Sequence, residues 1–265
     1  MSQAPGHDAH PTAGPAADVV LETRGLVKEF SGFRAVDSVD LQVRAGSVHA
    51  LVGPNGAGKT TLFNLLTGFL APTSGTILLQ GHDVTALPPE RIAARGVARS
   101  FQITSLFEQL TVRDHVELAL QSSTGLGYRF WRSDRLLARF RDEAMALLHE
   151  VGLADRAELP AGSLAYGQKR ALELALALAL SPALLLLDEP TAGMGLEDVE
   201  RTVELIRRIR SGRTVVMVEH NMSVVANLAD RVSVLQFGAV LVEGPYDEVR
   251  QDPRVVSAYL GSPVA

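Results

Sequence analysis

The stretch SVHALVGPNGAGKTTLFNLLTG, residues 47–68, constrains the fold more than any other part of the chain. It opens as a mostly apolar strand, ends as an amphipathic helix, and holds G-x-x-x-x-G-K-[ST] at 53–60 between them. A strand handed to a helix through such a loop is the first unit of a largely parallel α/β sheet. Gly53, Gly56 and Gly58, with Pro54, Asn55 and Ala57 between them, let the backbone curl so that successive N–H groups face inward as an anion nest. The helix start adds the positive end of its dipole. Lys59 suits the β- and γ-phosphates of a nucleotide, Thr60 suits Mg2+, and Thr61 extends the same first turn.

A second phosphate-site element is LLLLDEP, residues 184–190. Four leucines read as a buried strand with two acids at its end. Asp188 is placed for a Mg2+ shell, and Glu189 can polarise an attacking water as general base. The adjacent pair points toward hydrolysis.

The rest of the chain fits this frame. Strands are expected at 19–24, 38–44, 47–52, 75–80, 184–188, 214–218, 231–236 and 239–243, with helices at 58–67, 196–211 and 221–229. The antiparallel-looking start suggests a β layer beside the α/β core. From about 97 to 181 a helical pattern dominates, notably at 111–121 and 134–151. There Leu136, Leu137, Phe140, Ala144, Leu147, Leu148 and Val151 fall near one face. The expected organisation is a disordered tail at 1–18, then one domain at 19–265. Its core spans about 19–96 and 182–265, with a helical subdomain inserted at about 97–181. Leu174–Leu187 is too short for a membrane span and is broken by Ser181-Pro182, so it reads as helix, turn and strand. The start of the chain lacks the basic and apolar regions of a signal peptide. A net charge of −5 argues against nucleic acid, and the absence of cysteine excludes disulfides and thiolate chemistry.

Together these residues resemble the ATP-binding-cassette ATPases over Val19 to Gly261. That implies a RecA-like phosphate-loop core with an antiparallel β layer and an inserted helical subdomain, binding ATP and Mg2+. Further elements stand in family order. Phe30, before SGFRAV, matches the aromatic that stacks on adenine. Gln102 in RSFQ matches the glutamine that looks toward Mg2+, alongside Thr60 and Asp188. His220 in VVMVEHNM matches the histidine that contacts the γ-phosphate, so Glu189, His220 and Gln102 are the catalytic candidates. LAYGQ, 164–168, stands at the family signature, usually LSGGQ. In a head-to-tail dimer, Ala165, Tyr166, Gly167 and Gln168 would cover the partner's nucleotide with the bare N–H groups of an open helix end. Ala165 replaces the usual Ser, and Gly195 lacks an acid common in relatives; both departures suggest tuned-down hydrolysis.

VARSFQITSLFEQLTVRDHV, LAYGQKRALELA, VEHNMSVV and VLVEGPYDEVRQDPRVVSAYLG resemble the ATPase subunits of branched-chain amino acid importers and of related urea and amide importers. The implied partners are membrane permease subunits, a second ATPase that is like or unlike, and indirectly a periplasmic solute-binding protein, with no nucleic acid. The implied location is peripheral, on the cytoplasmic face of the inner membrane. Leu106, Phe107 and Leu110 either face a permease or pack inside the helical subdomain. GYRFWRSDR, 127–135, is either a contact with lipid or permease, or a loop around Trp131. Exporter ATPases share every catalytic motif and stay open as an alternative, as do soluble cassette proteins. The latter usually carry a long coiled-coil insertion or two cassettes, neither of which is present.

Overall fold

A computed structural model describes residues 19–100, 106–123 and 134–260. The tail 1–18, Gln102 and most of the 127–135 segment lie outside the described residues.

The first sheet is antiparallel. It holds β1 (Val19–Phe30), β2 (Phe33–Arg44), β4 (Ser74–Leu79) and β5 (His82–Asp83) in the order β2-β1-β4-β5. The second holds β3 (Val48–Val52), β6 (Val97–Ser100), β7 (Leu184–Asp188), β8 (Thr214–Val218), β9 (Arg231–Gln236) and β10 (Ala239–Gly244) in the order β10-β9-β3-β8-β7-β6. Only β10 runs antiparallel there. The helices are α1 (Lys59–Leu66), α2 (Pro89–Ala93), α3 (Val112–Ser123), α4 (Asp134–Glu150), α5 (Tyr166–Ala179), α6 (Leu196–Ile209), α7 (Met222–Leu228), α8 (Tyr246–Val249) and α9 (Pro253–Leu260).

The strand period of two explains the layering. Leu184 and Leu186 face a core shared with Leu62, Phe63, Leu65 and Leu66 of α1 and the inner face of the antiparallel sheet. Leu185 and Leu187 face the opposite core, formed with α3, α4, α5 and α6. A strand covered on both faces reads as a near-continuous apolar run, and β3, β7 and β8 are buried throughout, with His49, Asp188 and Thr214 as their polar members.

Three differences from the sequence expectations stand out. Residues 97–100 are not part of the helical segment; they form β6, an edge strand paired in parallel with β7. The charge of Arg99 hides this strand, and that charge has a buried partner described below. The first two strands extend to Phe30 and back to Phe33, because Ser31 and Gly32, with φ of 49° and 88°, make a two-residue turn that suits the twist of a hairpin. The short elements β5, α2, α8 and α9 lack the length for a periodic signal. On α4, Phe140, Ala144, Leu148 and Val151 are buried and Leu147 partly so, while the side chains of Leu136 and Leu137 lie outside the described residues. No described helix is long and apolar enough to cross a membrane.

Candidate nucleotide site

β3, β8 and β7 are neighbours and parallel, so their carboxyl ends emerge side by side, where open α/β sheets bind ligands. From β3 comes the phosphate loop. Gly53 has φ 148°, and a Cβ there would lie 2.2 Å from the Leu235 carbonyl oxygen. Gly58 has φ 100°, caps α1, and a Cβ there would lie 2.3 Å from the Ala35 oxygen. Both positions therefore require glycine. Ala57 is buried, and its carbonyl accepts from the Gly238 amide at 3.1 Å, while Asn55 and Gly56 are exposed at the crest beside half-buried Pro54.

Lys59 is buried and folds back on its own loop, donating to the carbonyls of Gly53 at 2.7 Å and Pro54 at 3.0 Å. Burial lowers its pKa, and the negative charge of Glu189 works against that lowering. The ammonium is thus held inside the curl of the loop beside an acid. Thr60 is exposed at the start of α1 and Thr61 is half-buried. Phe30, 44% exposed, ends β1 with the Lys28 ammonium 5.0 Å from its ring centroid. The hairpin carrying it flanks the loop through Ala35.

From β7 come Asp188 and Glu189. Asp188 is buried, and its Oδ2 accepts from Arg99 Nη2 at 2.5 Å. Arg99 Nη1 donates to Asn64 Oδ1 of α1 at 2.7 Å, so the guanidinium bridges the acid to the helix behind the loop. Glu189 sits in the left-handed region at φ 47°, held by its amide to the Val218 carbonyl at 3.0 Å. Such a conformation is uncommon outside glycine and clusters at functional sites. From β8 comes His220, whose Nε2 lies 2.6 Å from Glu189 Oε1.

The signature residues stand apart from these. Among the described residues no hydrogen bond joins 165–168 to the phosphate loop. Ala165 is the N-cap of α5 and offers no side-chain acceptor. The helix end is less open than its sequence implies, because Gln168 Oε1 turns back to accept from the Ala165 amide at 3.0 Å. Tyr166 donates its hydroxyl to the Ala192 carbonyl at 3.2 Å, tying the signature to the loop after β7. Gly195 caps α6. Leu106 and Leu110 are half-buried and Phe107 is 66% exposed.

Sequence reasoning passed over Arg99, Asn64, Thr191, Glu219 and Tyr259. An Arg inside a short apolar segment is a signal for a buried ion pair, and Arg99 was legible in that sense. Tyr259 of α9 lies near the Gly53 backbone; its pKa is raised by burial, against which the Gly53 backbone works. Nothing local announces this contact.

The donor set fits nucleotide and metal. One acid and one hydroxyl, Asp188 and Thr60, suit Mg2+ carried in on substrate phosphates. Among the described residues no group of three or more His or acidic side chains makes a complete cage.

Comparison with known proteins agrees. Residues 36–192 match the family model described as ABC transporter, and residues 239–265 match the one described as branched-chain amino acid ATP-binding cassette transporter. The chain is 39% identical over 252 residues to the high-affinity branched-chain amino acid transport ATP-binding protein BraF of Pseudomonas aeruginosa, covering 91% of this chain and 98% of the relative. It is similar to the crystal structure of an ABC transporter ATP-binding cassette in its ADP conformation, with TM-score 0.80, 29% identity, and coverage of 92% of this chain and 99% of that one. It is also similar to a cassette solved as a dimer in a post-hydrolysis state with ADP and Pi, with TM-score 0.70, 25% identity, and coverage of 85% and 98%. The chain belongs to the ABC transporter family, as an ATP-binding cassette that hydrolyses ATP.

Proposed function

We propose that this cassette is the motor subunit of a bacterial importer for branched-chain amino acids or similar small polar solutes such as urea and amides. The observation that carries the reading is the 39% identity to BraF along nearly the whole chain, joined to the match at 239–265. The cassette works on the cytoplasmic face of the inner membrane. It pairs head to tail with a like or unlike cassette beneath two permeases fed by a periplasmic binding protein.

The loop amides of residues 53–60 and the Lys59 ammonium bind the phosphates of ATP, and Phe30 stacks on the adenine. Lys59 needs only to exchange two loop carbonyls for phosphate oxygens, so its charge is already in place. Thr60, Asp188 and Gln102 would hold Mg2+, which would supply charge neutralisation on the phosphates. Glu189 takes a proton from the attacking water. For His220 to contact the γ-phosphate, its 2.6 Å contact with Glu189 Oε1 opens. Tyr166, Gly167 and Gln168, with the Ala165 backbone, close over the partner's nucleotide. ATP binds the closed dimer better than the open one, and that difference drives the permeases through the segment after β6.

The test is to tag the chain in its native host, solubilise the membranes gently and identify what co-purifies. Two different permeases, a second cassette and a binding protein are expected, and the ligand of that binding protein names the solute. A single lipid-exporting permease moves the function to export. Recovery from cytosol with ribosomes or DNA removes transport altogether.

A further inference from the structure

Behind the reacting pair lies a buried carboxylate that this chemistry does not use. Glu219, the residue after β8, is 3% exposed. Its Oε1 accepts from the Thr191 amide at 3.1 Å and the Thr191 hydroxyl at 2.6 Å. Its Oε2 accepts from the amides of His220 at 3.0 Å and Asn221 at 3.2 Å. All of these donors are neutral. A carboxylate leaves water only at a cost, and that cost is met when its lone pairs are satisfied, as here with two bonds to each oxygen. A glutamine of the same shape turns an NH2 toward at least one of the same N–H groups. The site is therefore built for a carboxylate, and it fastens the loop after β7 to the loop after β8.

Those two loops carry the reacting groups. Glu189 lies two residues before Thr191, with its carbonyl accepting from the Ala192 amide at 3.1 Å. His220 meets Glu189 directly. The path Glu189, Pro190, Thr191, Glu219, His220 and back to Glu189 is thus a closed ring, one link of which must open during turnover. On its outer side the ring touches the signature, through the Tyr166 hydroxyl on the Ala192 carbonyl.

We infer that Glu219 is a positioning residue that keeps Glu189 and His220 in register when their direct contact opens, and that links this pair to the signature helix through Thr191 and Ala192. The inference rests on the motor reading given above for Glu189, His220 and the signature. It gives Glu219 a role at the junction of two sites: the nucleotide bound on its own phosphate loop and the nucleotide of the partner that its signature covers.

The test uses the full chain with Glu219→Gln, Thr191→Val and Tyr166→Phe, singly and with Glu219→Gln and Tyr166→Phe combined. ATP affinity is read by calorimetry, turnover by phosphate release, and the setting of the His220 ring by NMR chemical shifts. Glu219→Gln should keep ATP affinity within about twofold and lower kcat about tenfold, the loss expected for a bond to a charged acceptor. The His220 ring signals should move. Thr191→Val should act in the same direction but less, about threefold. The effect of Tyr166→Phe on kcat should shrink once Glu219 is replaced, since linked residues do not act independently. A folded Glu219→Gln with normal kcat and unmoved His220 signals overturns the inference. Loss of kcat only in proportion to lost ATP affinity overturns it too, as do independent effects of the two substitutions. If Glu219→Gln does not fold, Thr191→Val decides by the same readouts. A native chain that hydrolyses no ATP overturns the motor reading instead, and the His220 signals still report on the tie.

Discussion

His49 makes stability depend on pH through the strand that delivers the phosphate loop. It lies on β3 and is 1% exposed. The Ser233 hydroxyl gives its single proton to Glu243 Oε2 at 2.6 Å, because a carboxylate only accepts. Ser233 Oγ, 2.8 Å from His49 Nε2, must then accept from the ring, which fixes the neutral Nε2–H tautomer. Burial pushes the pKa of His49 from 6.5 down to about 4. The charge of Glu243 opposes this, and Arg231, paired with Glu243 at 2.6 Å, adds to it.

Between pH 6.5 and 4 the unfolded chain therefore holds a proton on His49 that the folded chain refuses. The contribution to stability is intact above about 6.5, declines as pH falls through the window, and levels off below about 4. At about 1.4 kcal/mol per pH unit, the fall from 6.5 to 5 removes about 2 kcal/mol. Urea unfolding at pH 7.5 and pH 5.0 tests this against His49→Gln, which does not titrate and keeps an amide donor for Ser233. Other ionisable groups are common to both proteins and cancel in the comparison. The native chain should lose about 2 kcal/mol more than the variant between the two pH values. Parallel pH profiles, or a folded-state His49 titrating near 6.5 by NMR, would refute the reasoning.

Three further outcomes are expected. Glu189→Gln should bind ATP normally yet lose about 10²–10⁴-fold in turnover and accumulate as an ATP-bound dimer on size exclusion; normal turnover would contradict the general-base role. Ala165→Ser should stabilise the chain by about 1 kcal/mol in thermal unfolding and leave ATPase activity equal or higher. The reason is that Ala165 already has N-cap geometry, with φ −64° and ψ 160°, and a hydroxyl there completes the reciprocal pair begun by Gln168. A large loss of rate would sink that idea. Arg99→Met strands the buried Asp188 carboxylate without its cation and should cost about 3–5 kcal/mol in urea unfolding; a change below about 1 kcal/mol would show that the pair is not desolvated as its burial implies.

What the sequence made legible was local. The phosphate loop, the apolar strands and the acids at 188 and 189 each announce themselves within a few residues, because strand, turn and helix signals are short-range. What it hid depends on partners far along the chain. Arg99 reads as a reason to doubt a strand until Asp188, 89 residues later, neutralises it. Glu219 reads as an acid beside a histidine until Thr191 appears against it. The signature helix reads as open until Gln168 is seen turned onto its own N-cap. Gln102 remains a proposal from the resemblance alone.

The meeting of Glu189 and His220 follows from strand register rather than from the loops themselves. Asp188 on β7 pairs with Val218 on β8, and Val218 pairs with Leu51 on β3. Glu189 is thus one residue beyond the last paired row, His220 two beyond it, and Gly53 two beyond Leu51. The apolar faces fix this row, since Leu185, Leu187, Val215 and Met217 share one core while Leu184, Leu186, Val216 and Val218 share the other. A slip by one residue would exchange those faces. A slip by two keeps them but moves His220 about 6.6 Å along the strand, at about 3.3 Å per residue, far outside the reach of a 2.6 Å contact. Glu219 sits one residue beyond that row, with its amide on the Leu51 carbonyl and its carboxylate on both loops, so the residue that ties the loops together also continues the register that brings them there.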